Sequence, residues 1–253
     1  MECERVGPAF FQSWDEQHYK PLPKSFRTTD GSFVVAGLPK SGNVWLTALI
    51  ASALGLPTVK TKGKCHVYYV HQSLSETKLL TDSTVYRGAV IVRDLRDIVV
   101  SLYHWLKTED YLRYYKHGPH QVFDDYEAMY IEYFLRRFAK IDIPNQMDGY
   151  VTRGWPVVKY ERLFDQPKRE LTRLFKVWQV DIEESAIDAA IERCSLQNMR
   201  SNSAGLVDDT IASDHFRVGG YGHFKSELPD IVLKDIETRY GSYLRSWGYE
   251  TTN

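Results

Sequence analysis

The segment from Phe33 to Leu54 constrains the fold of this chain more than any other. It begins with five residues of strand composition, FVVAG, and passes through a short loop into about a dozen mostly apolar residues without glycine or proline. That pattern predicts a buried strand, a tight loop and a buried helix. Such a loop directs backbone N–H groups and the positive end of the helix dipole towards one point, so it suits an anion.

Two side chains in this loop reinforce the prediction of an anion site. Lys40 offers a positive charge and Ser41 a hydroxyl donor, so a phosphate or a similar group is the expected guest. The loop is not a Walker A sequence, because there the lysine directly follows the second glycine, whereas Lys40 and Ser41 precede Gly42. For this segment alone, an ordinary strand-to-helix turn with a chance lysine is the alternative.

Residues 39–46, PKSGNVWL, resemble the PKSGTTWL loop of the cytosolic sulfotransferases. In that family the loop holds the 5′-phosphosulfate of 3′-phosphoadenosine 5′-phosphosulfate (PAPS). Two residues depart from the pattern: Asn43 can still donate a hydrogen bond, whereas Val44 cannot replace a hydroxyl. The resemblance implies that the cofactor is contacted by Lys40, Ser41, Gly42, Asn43, Val44 and Trp45.

A second buried strand, over residues 87–92, leads into RDLRDIVVSLYHW at residues 93–105. It places Arg93 at the carboxyl end of a strand, where open α/β sheets bind ligands, and the arginine fork matches phosphate geometry. The segment resembles the family's RNPRDVAVSYYHF, which implies that Arg93 and Ser101 bind the 3′-phosphate of PAPS. The structural alternative is a salt-bridged helix start built from the Arg and Asp residues of RDLRD.

Two further segments extend the resemblance to the nucleotide. Residues 159–171 are similar to YEDMKEDPKREI, which implies that Tyr160 borders the nucleotide. Cys194 and Leu196 stand where the family's TSFKEM places a Thr and a Phe beside the adenine, opposite Trp45. Leu196 lacks an aromatic stack worth about 0.5–1.5 kcal/mol, and a Cys makes weaker hydrogen bonds than a Thr. Adenine recognition is therefore expected to be looser than in the family.

A glycine-rich segment completes the match. Residues 216–225, FRVGGYGHFK, resemble FRKGMAGDWK, and glycines let backbone N–H groups approach an anion closely. The resemblance implies that the 3′-phosphate is closed over by Phe216, Arg217, Val218 and Gly219. Val218 replaces a lysine and so removes one phosphate cation.

In the family a histidine after the phosphate loop is the general base, and its position falls on His71. A neutral imidazole can take the acceptor proton near working pH. The sequence reads Tyr69-Val70-His71 where the family has KTH, so the charge of that lysine is missing. His66, five residues earlier, competes for the role, and a purely structural histidine is a third possibility. Lys40 is expected to stabilise charge on the departing phosphate oxygen.

The 253 residues include 43% hydrophobic and 26% charged side chains with a net charge of −1, which is typical of a soluble globular protein. This balance argues against broad nucleic-acid or membrane binding. Three scattered cysteines exclude a disulfide framework or zinc site, and the N-terminus lacks a secretory pattern, so a cytoplasmic location is expected. The predicted fold is one α/β domain over residues 1–253: a mainly parallel sheet flanked by helices, a P-loop-like phosphosulfate loop, and residues 1–32 packed as an arm.

The predicted function is transfer of a sulfuryl group from PAPS to a hydroxyl or amine of a small-molecule acceptor, releasing 3′-phosphoadenosine 5′-phosphate (PAP), without a metal. A P-loop nucleotide kinase and a non-catalytic PAPS- or PAP-binding protein are the alternatives. The aromatic-rich residues 111–133 are equally an acceptor pocket or core. Pro229 and Asp230 interrupt the family's KxxxTVxxxE dimer signature, so we expect a monomer or a dimer of another type.

Overall fold

The computed structural model describes residues 32–58, 66–74, 85–108, 111, 123–136, 143, 145–201 and 215–251. The predicted arm lies outside the described residues except for Ser32. The front half of the aromatic-rich segment also lies largely outside them.

Four parallel strands form the central sheet of the described chain, in the spatial order β2-β1-β3-β4. Their bounds are Ser32–Ala36 (β1), Val67–Val70 (β2), Val85–Val92 (β3) and Val157–Lys159 (β4). Near-continuous apolar runs such as FVVA in β1 are typical of parallel strands covered on both faces. The predicted α/β fold with a parallel sheet is confirmed.

The helices that the structure describes are short apart from five. Their bounds are Asn43–Leu54 (α1), Leu95–Trp105 (α2), Tyr126–Met129 (α3, continued by a π-helical turn over Tyr130–Leu135), Asp148–Thr152 (α4), Tyr160–Asp165 (α5), Pro167–Trp178 (α6), Glu184–Arg193 (α7), Leu196–Ser201 (α8), Phe224–Glu227 (α9) and Asp230–Ser246 (α10). No helix among these residues combines the length and apolar character that a bilayer crossing requires.

The sheet separates two apolar cores because successive side chains of a strand point to opposite faces. On one face, Phe33 of β1 and Ile91 of β3 pack with α1, α6 and α7. On the other face, Ala36 and Val90 pack with α2 and α10. Helix α6 contributes four buried side chains to the first of these cores, namely Leu171, Leu174, Phe175 and Trp178.

The parallel arrangement brings the carboxyl ends of all four strands to one edge of the sheet. Gly37 follows β1, His71 follows β2, Arg93 follows β3 and Tyr160 follows β4. Residues that are far apart in sequence therefore converge at this edge, which is where ligands of open α/β sheets bind.

Candidate active site

A cavity of about 770 Å³ opens at the carboxyl edge of the sheet. Most of the predicted site residues line it: Lys40, Gly42, Asn43, Val44, Trp45, His71, Arg93, Ser101, Tyr160, Cys194, Leu196, Phe216, Arg217 and Gly219. Ser41 and Val218 do not. Ser41 is buried, with 1% of its surface exposed, and Val218 is 53% exposed and points outward.

The loop between β1 and α1 depends on two glycines. A Cβ on Gly37 would lie 2.5 Å from Asn43 Oδ1 and 2.8 Å from the Ile91 carbonyl oxygen, so no larger residue fits. Gly42 has φ +97°, and a Cβ there would lie 2.6 Å from the Tyr160 ring. Lys40 also adopts a left-handed conformation, with φ 68°, which is uncommon for a residue with a side chain and is found at functional sites.

The Asn43 side chain stabilises the loop itself. Its Nδ2 donates a hydrogen bond of 2.7 Å to the Leu38 carbonyl oxygen, and the residue is buried. Asn43 also lines the cavity, so the predicted contact between this residue and the anion stays a prediction.

The Lys40 ammonium lies between an aromatic ring and a histidine. Its Nζ is 5.1 Å from the centre of the Trp105 ring and 3.4 Å from His215 Nε2. Both contacts favour a cation held at a fixed place in the cavity, the first by cation–π attraction and the second by accepting a hydrogen bond from the ammonium. His215 therefore belongs to the site, although the sequence analysis did not identify it.

The His71 imidazole is held in one tautomer. His71 Nδ1 lies 2.9 Å from the Gly37 carbonyl oxygen, and since a carbonyl only accepts, Nδ1 carries the proton. The Gln146 side chain donates to the His71 carbonyl oxygen and holds the backbone. Burial, with smaller contributions from the charges of Lys40 and His215, lowers the pKa of His71 below its ordinary value of 6.5. Nε2 is thus left as a neutral base.

His66 lies at the opposite edge of the sheet, because it precedes β2 whereas His71 follows it. Its Nδ1 is 3.3 Å from Ser32 Oγ, and its ring stacks on Tyr68. The side chain does not line the cavity, so this histidine contacts the start of β1 and not the site.

Arg93 connects two loops of the site. Its guanidinium donates to the Lys40 carbonyl oxygen at 3.1 Å and to the Gly220 carbonyl oxygen at 3.0 Å, and Cζ lies 4.3 Å from the centre of the Tyr160 ring. These two bonds use only part of a guanidinium's five N–H donors. The remainder are available to an anion in the cavity.

The salt-bridged helix start is present at two of its four residues. Arg96 binds Asp94 at 2.7 Å, and Asp94 also accepts from the backbone N–H of Arg96 at the start of α2. Arg93 faces the cavity instead, and Asp97 accepts hydrogen bonds from the backbone N–H groups of Gly222 and Phe224. Asp97 thus positions the glycine-rich segment. The sequence did not predict this role for an acidic residue within a phosphate-binding motif.

Arg217 reaches the cavity while bound to a carboxylate. Its guanidinium donates to Glu227 Oε1 at 3.0 Å, and the other carboxylate oxygen of Glu227 accepts from Tyr126 and contacts His104. Burial alone would raise the pKa of Glu227, but these hydrogen bonds lower it to about 2. Glu227 therefore stays ionised and holds Arg217 at the cavity, which Ser101 and His104 also line.

At the end of the cavity where the adenine is predicted to bind, Trp45 Nε1 donates a hydrogen bond of 3.0 Å to the Cys194 carbonyl oxygen. This contact places position 194 beside Trp45. The thiol itself is buried, and burial raises the pKa of Cys194 to about 12. Leu196 is 36% exposed at the rim of the cavity.

The described part of the aromatic-rich segment divides between core and cavity. Tyr133 lines the cavity together with Tyr69, Trp105 and Thr108. Tyr111 and Tyr130 are buried in the core, and Tyr111 packs edge-on against Trp105. The described residues hold no cluster of His, Cys, Asp or Glu suited to a metal ion.

Comparison with known proteins shows which family this chain is similar to. The family described as "Sulfotransferase domain" matches residues 83–248. A curated relative, cytosolic sulfotransferase 13 of Arabidopsis thaliana, is 20% identical over 85% of this chain and 77% of its own length. Among solved structures, mouse sulfotransferase SULT7A1 complexed with PAP superposes with a TM-score of 0.65 at 18% identity, covering 87% of this chain and 86% of that one. Retinol dehydratase in complex with androsterone and PAP gives a TM-score of 0.61 at 16% identity, over 96% and 88% of the two chains.

Proposed function

This chain belongs to the sulfotransferase domain family, and we propose on that premise that it transfers a sulfuryl group from PAPS to a small-molecule acceptor and releases PAP. One observation carries the proposal: a buried neutral imidazole, an ammonium and a guanidinium converge on one cavity at the strand ends. They belong to His71, Lys40 and Arg93.

The donors present at the cavity fit PAPS. Among the described residues that line the cavity, Arg93 has its Nε buried without a hydrogen-bond partner, which is costly unless a ligand or water satisfies it. Lys40 and the loop N–H groups suit the phosphosulfate, and Arg93, Ser101 and Arg217 suit a 3′-phosphate. Two of the structural neighbours are described as PAP complexes, which supports the same ligand.

PAPS supplies the sulfuryl group: its sulfur–oxygen bond to the 5′-phosphate breaks as the bond from sulfur to the acceptor forms. His71 Nε2 takes the acceptor's proton, since Nδ1 is committed to Gly37. Lys40 places its charge beside the departing phosphate oxygen. Arg93 fixes the phosphate loop and the glycine-rich segment relative to each other, so that donor and acceptor meet in line.

A kinase is the weaker candidate on a specific observation. A P-loop kinase would need a magnesium-binding aspartate soon after a strand, and Asp94 lies two residues after β3. Its two oxygens are bound by Arg96 at 3.0 and 2.7 Å, so Asp94 is not positioned to bind a metal ion.

We also infer a cytoplasmic location, which agrees with the relative named as cytosolic. We infer a monomer, or a dimer of a type other than the one that the family signature forms. Pro229, which directly precedes α10, supports this because the signature has a threonine at that position.

Calorimetric titration with PAP, and in parallel with ATP plus magnesium, tests the proposal. We expect PAP to bind and ATP not to, followed by turnover of labelled PAPS in an acceptor screen. ATP binding without a preference for the 3′-phosphate would favour the kinase function over the sulfotransferase function. PAP binding without turnover of any acceptor would favour a non-catalytic binding protein.

A further inference from the structure

We propose that Phe164 forms an aromatic wall of the nucleobase subsite and takes over the role that position 196 has lost. The proposal rests on the proposed function, because it presupposes that PAP or PAPS occupies the cavity. It names a residue that the family resemblance does not assign, since the matching segment of the family has a lysine at this position.

Phe164 lies at the cavity and not in the core. It is near the end of α5, lines the cavity, and keeps 44% of its surface exposed. Its ring centre lies 6.4 Å from that of Trp45 at an angle of 61°, and 6.3 Å from that of Tyr160. An exposed phenylalanine packed against the two aromatic residues that border the nucleotide is an apolar surface that a ligand's flat ring would cover.

The Phe164 side chain lies close to Leu196, the position at which the family pattern has a phenylalanine. A Cβ placed on Gly219 would lie 3.4 Å from Phe164 Cε2 and 3.5 Å from Leu196 Cδ2, so the two side chains flank the same glycine. Leu196 offers no π surface, whereas Phe164 reaches the same region from the other side of the cavity rim. The aromatic side chain at this part of the cavity is therefore supplied by α5 in this chain, whereas the family pattern places it at the position that begins α8.

Neighbouring contacts hold this ring in place. The Tyr221 ring packs edge-on against Phe164, with 6.1 Å between the ring centres and an interplanar angle of 86°. The Tyr221 hydroxyl donates a hydrogen bond of 2.6 Å to Asp165, the next residue along α5. Tyr160, one turn earlier on α5, in turn lies under the Arg93 guanidinium. The ring is thus positioned before a ligand arrives, which lowers the ordering cost of binding.

Affinity for two ligands separates a nucleobase contact from a general loss of the site. The probes are PAP and methyl ribofuranoside 3,5-bisphosphate, which keeps both phosphates and lacks the base. Stacking of a base on an aromatic ring predicts that Phe164→Ala weakens PAP binding about 5- to 100-fold. Affinity for the base-free bisphosphate stays at the wild-type value, because its phosphate contacts are unchanged.

Two further variants sharpen the test. Leu196→Phe in the Phe164→Ala background should recover most of the lost PAP affinity, because it returns an aromatic ring to the other side of the same glycine. Ile231→Ala removes a side chain that is 65% exposed on α10, outside the cavity, and should change neither affinity. Thermal unfolding of each variant shows whether the fold is intact, and Phe164→Leu keeps the apolar contact with Trp45 if the alanine variant is unstable.

The outcomes are distinct. Wild-type affinity for PAP in both Phe164 variants, or an equal loss for PAP and the base-free ligand, would overturn the assignment of Phe164. Failure of the wild-type protein to bind PAP at all would instead overturn the proposed function.

Discussion

Two halves of the cavity differ in how they are built. The strand-end half consists of residues that directly follow strands: the loop from Gly37 to Gly42, His71 and Arg93. The loop half consists of residues 194–196 and the segment 216–219, in which Val218 points away from the cavity. In the first half the side chains are largely buried and tied to backbone carbonyls, and the sequence keeps the pattern with few changes. In the second, Leu196 and Val218 are exposed and both depart from the pattern.

The difference reflects what fixes each position. Strand register sets where Gly37, His71 and Arg93 lie, and a displaced side chain there would disturb the sheet. Short helices and loops allow one residue to replace another across a gap, as Phe164 and Leu196 illustrate. We therefore expect substitutions in the strand-end half to have the larger effects.

The largest expected effect is that of His71→Ala. Loss of the general base should lower the turnover rate by about 10²–10⁴-fold, while PAP affinity stays unchanged. Steady-state kinetics with labelled PAPS and calorimetry with PAP measure the two quantities. His66→Ala is the matched control, and it should retain turnover because His66 lies at the other edge of the sheet. A wild-type rate in His71→Ala would refute the assignment of the base.

Arg93→Ala should have the next largest effect, and it acts on binding. A charge-assisted hydrogen bond contributes about 1.5–3 kcal/mol, so PAP affinity should fall roughly 10- to 100-fold. Adenosine 5′-phosphate, which lacks the 3′-phosphate, should lose much less. Arg93→Lys keeps the charge but not the forked geometry of the guanidinium, so its PAP affinity should lie between those of the wild type and Arg93→Ala. An equal loss for both nucleotides would mean that Arg93 acts only by holding the loops together.

The sequence predicts the strand-end half well for a physical reason. Strand composition, glycine positions and one arginine are local features, and parallel pairing then brings them together. The directions of side chains are not local. Asn43 turns to Leu38, Asp97 binds the glycine-rich segment, and His215 meets Lys40 across 175 residues of chain.

The loop half shows the opposite limit of prediction. The loss of an aromatic residue at position 196 is visible in the sequence, but its replacement is not. Phe164 occupies a position where the family pattern has a lysine, so the resemblance gives no signal for it. Only the packing of α5 against Trp45 and Gly219 reveals the replacement.

Val218→Lys tests whether the loop half tolerates a return to the family pattern. An exposed ion pair contributes about 0.2–1 kcal/mol, so PAP affinity should rise by at most about fivefold. The gain should disappear at high salt because the site is exposed and its charges are screened. Val218→Met, which adds length without charge, serves as the control. An equal gain in the methionine variant, or one that persists at high salt, would mean that apolar contact and not charge is responsible.

The smallest expected effect concerns the pH dependence of transfer and lies where the two halves meet, at His215. Burial disfavours the charged imidazolium, so the pKa of His71 is below 6.5 and its neutral form persists into mildly acidic solution. The profile of kcat/KM should accordingly decline only below pH 6.5. His215→Asn removes a nearby group that also lowers the pKa of His71, so the acidic limb should move to higher pH. A limb that stays in place, with a profile otherwise like that of the wild type, would show that His215 does not act on His71 and that its contact with Lys40 is purely positional.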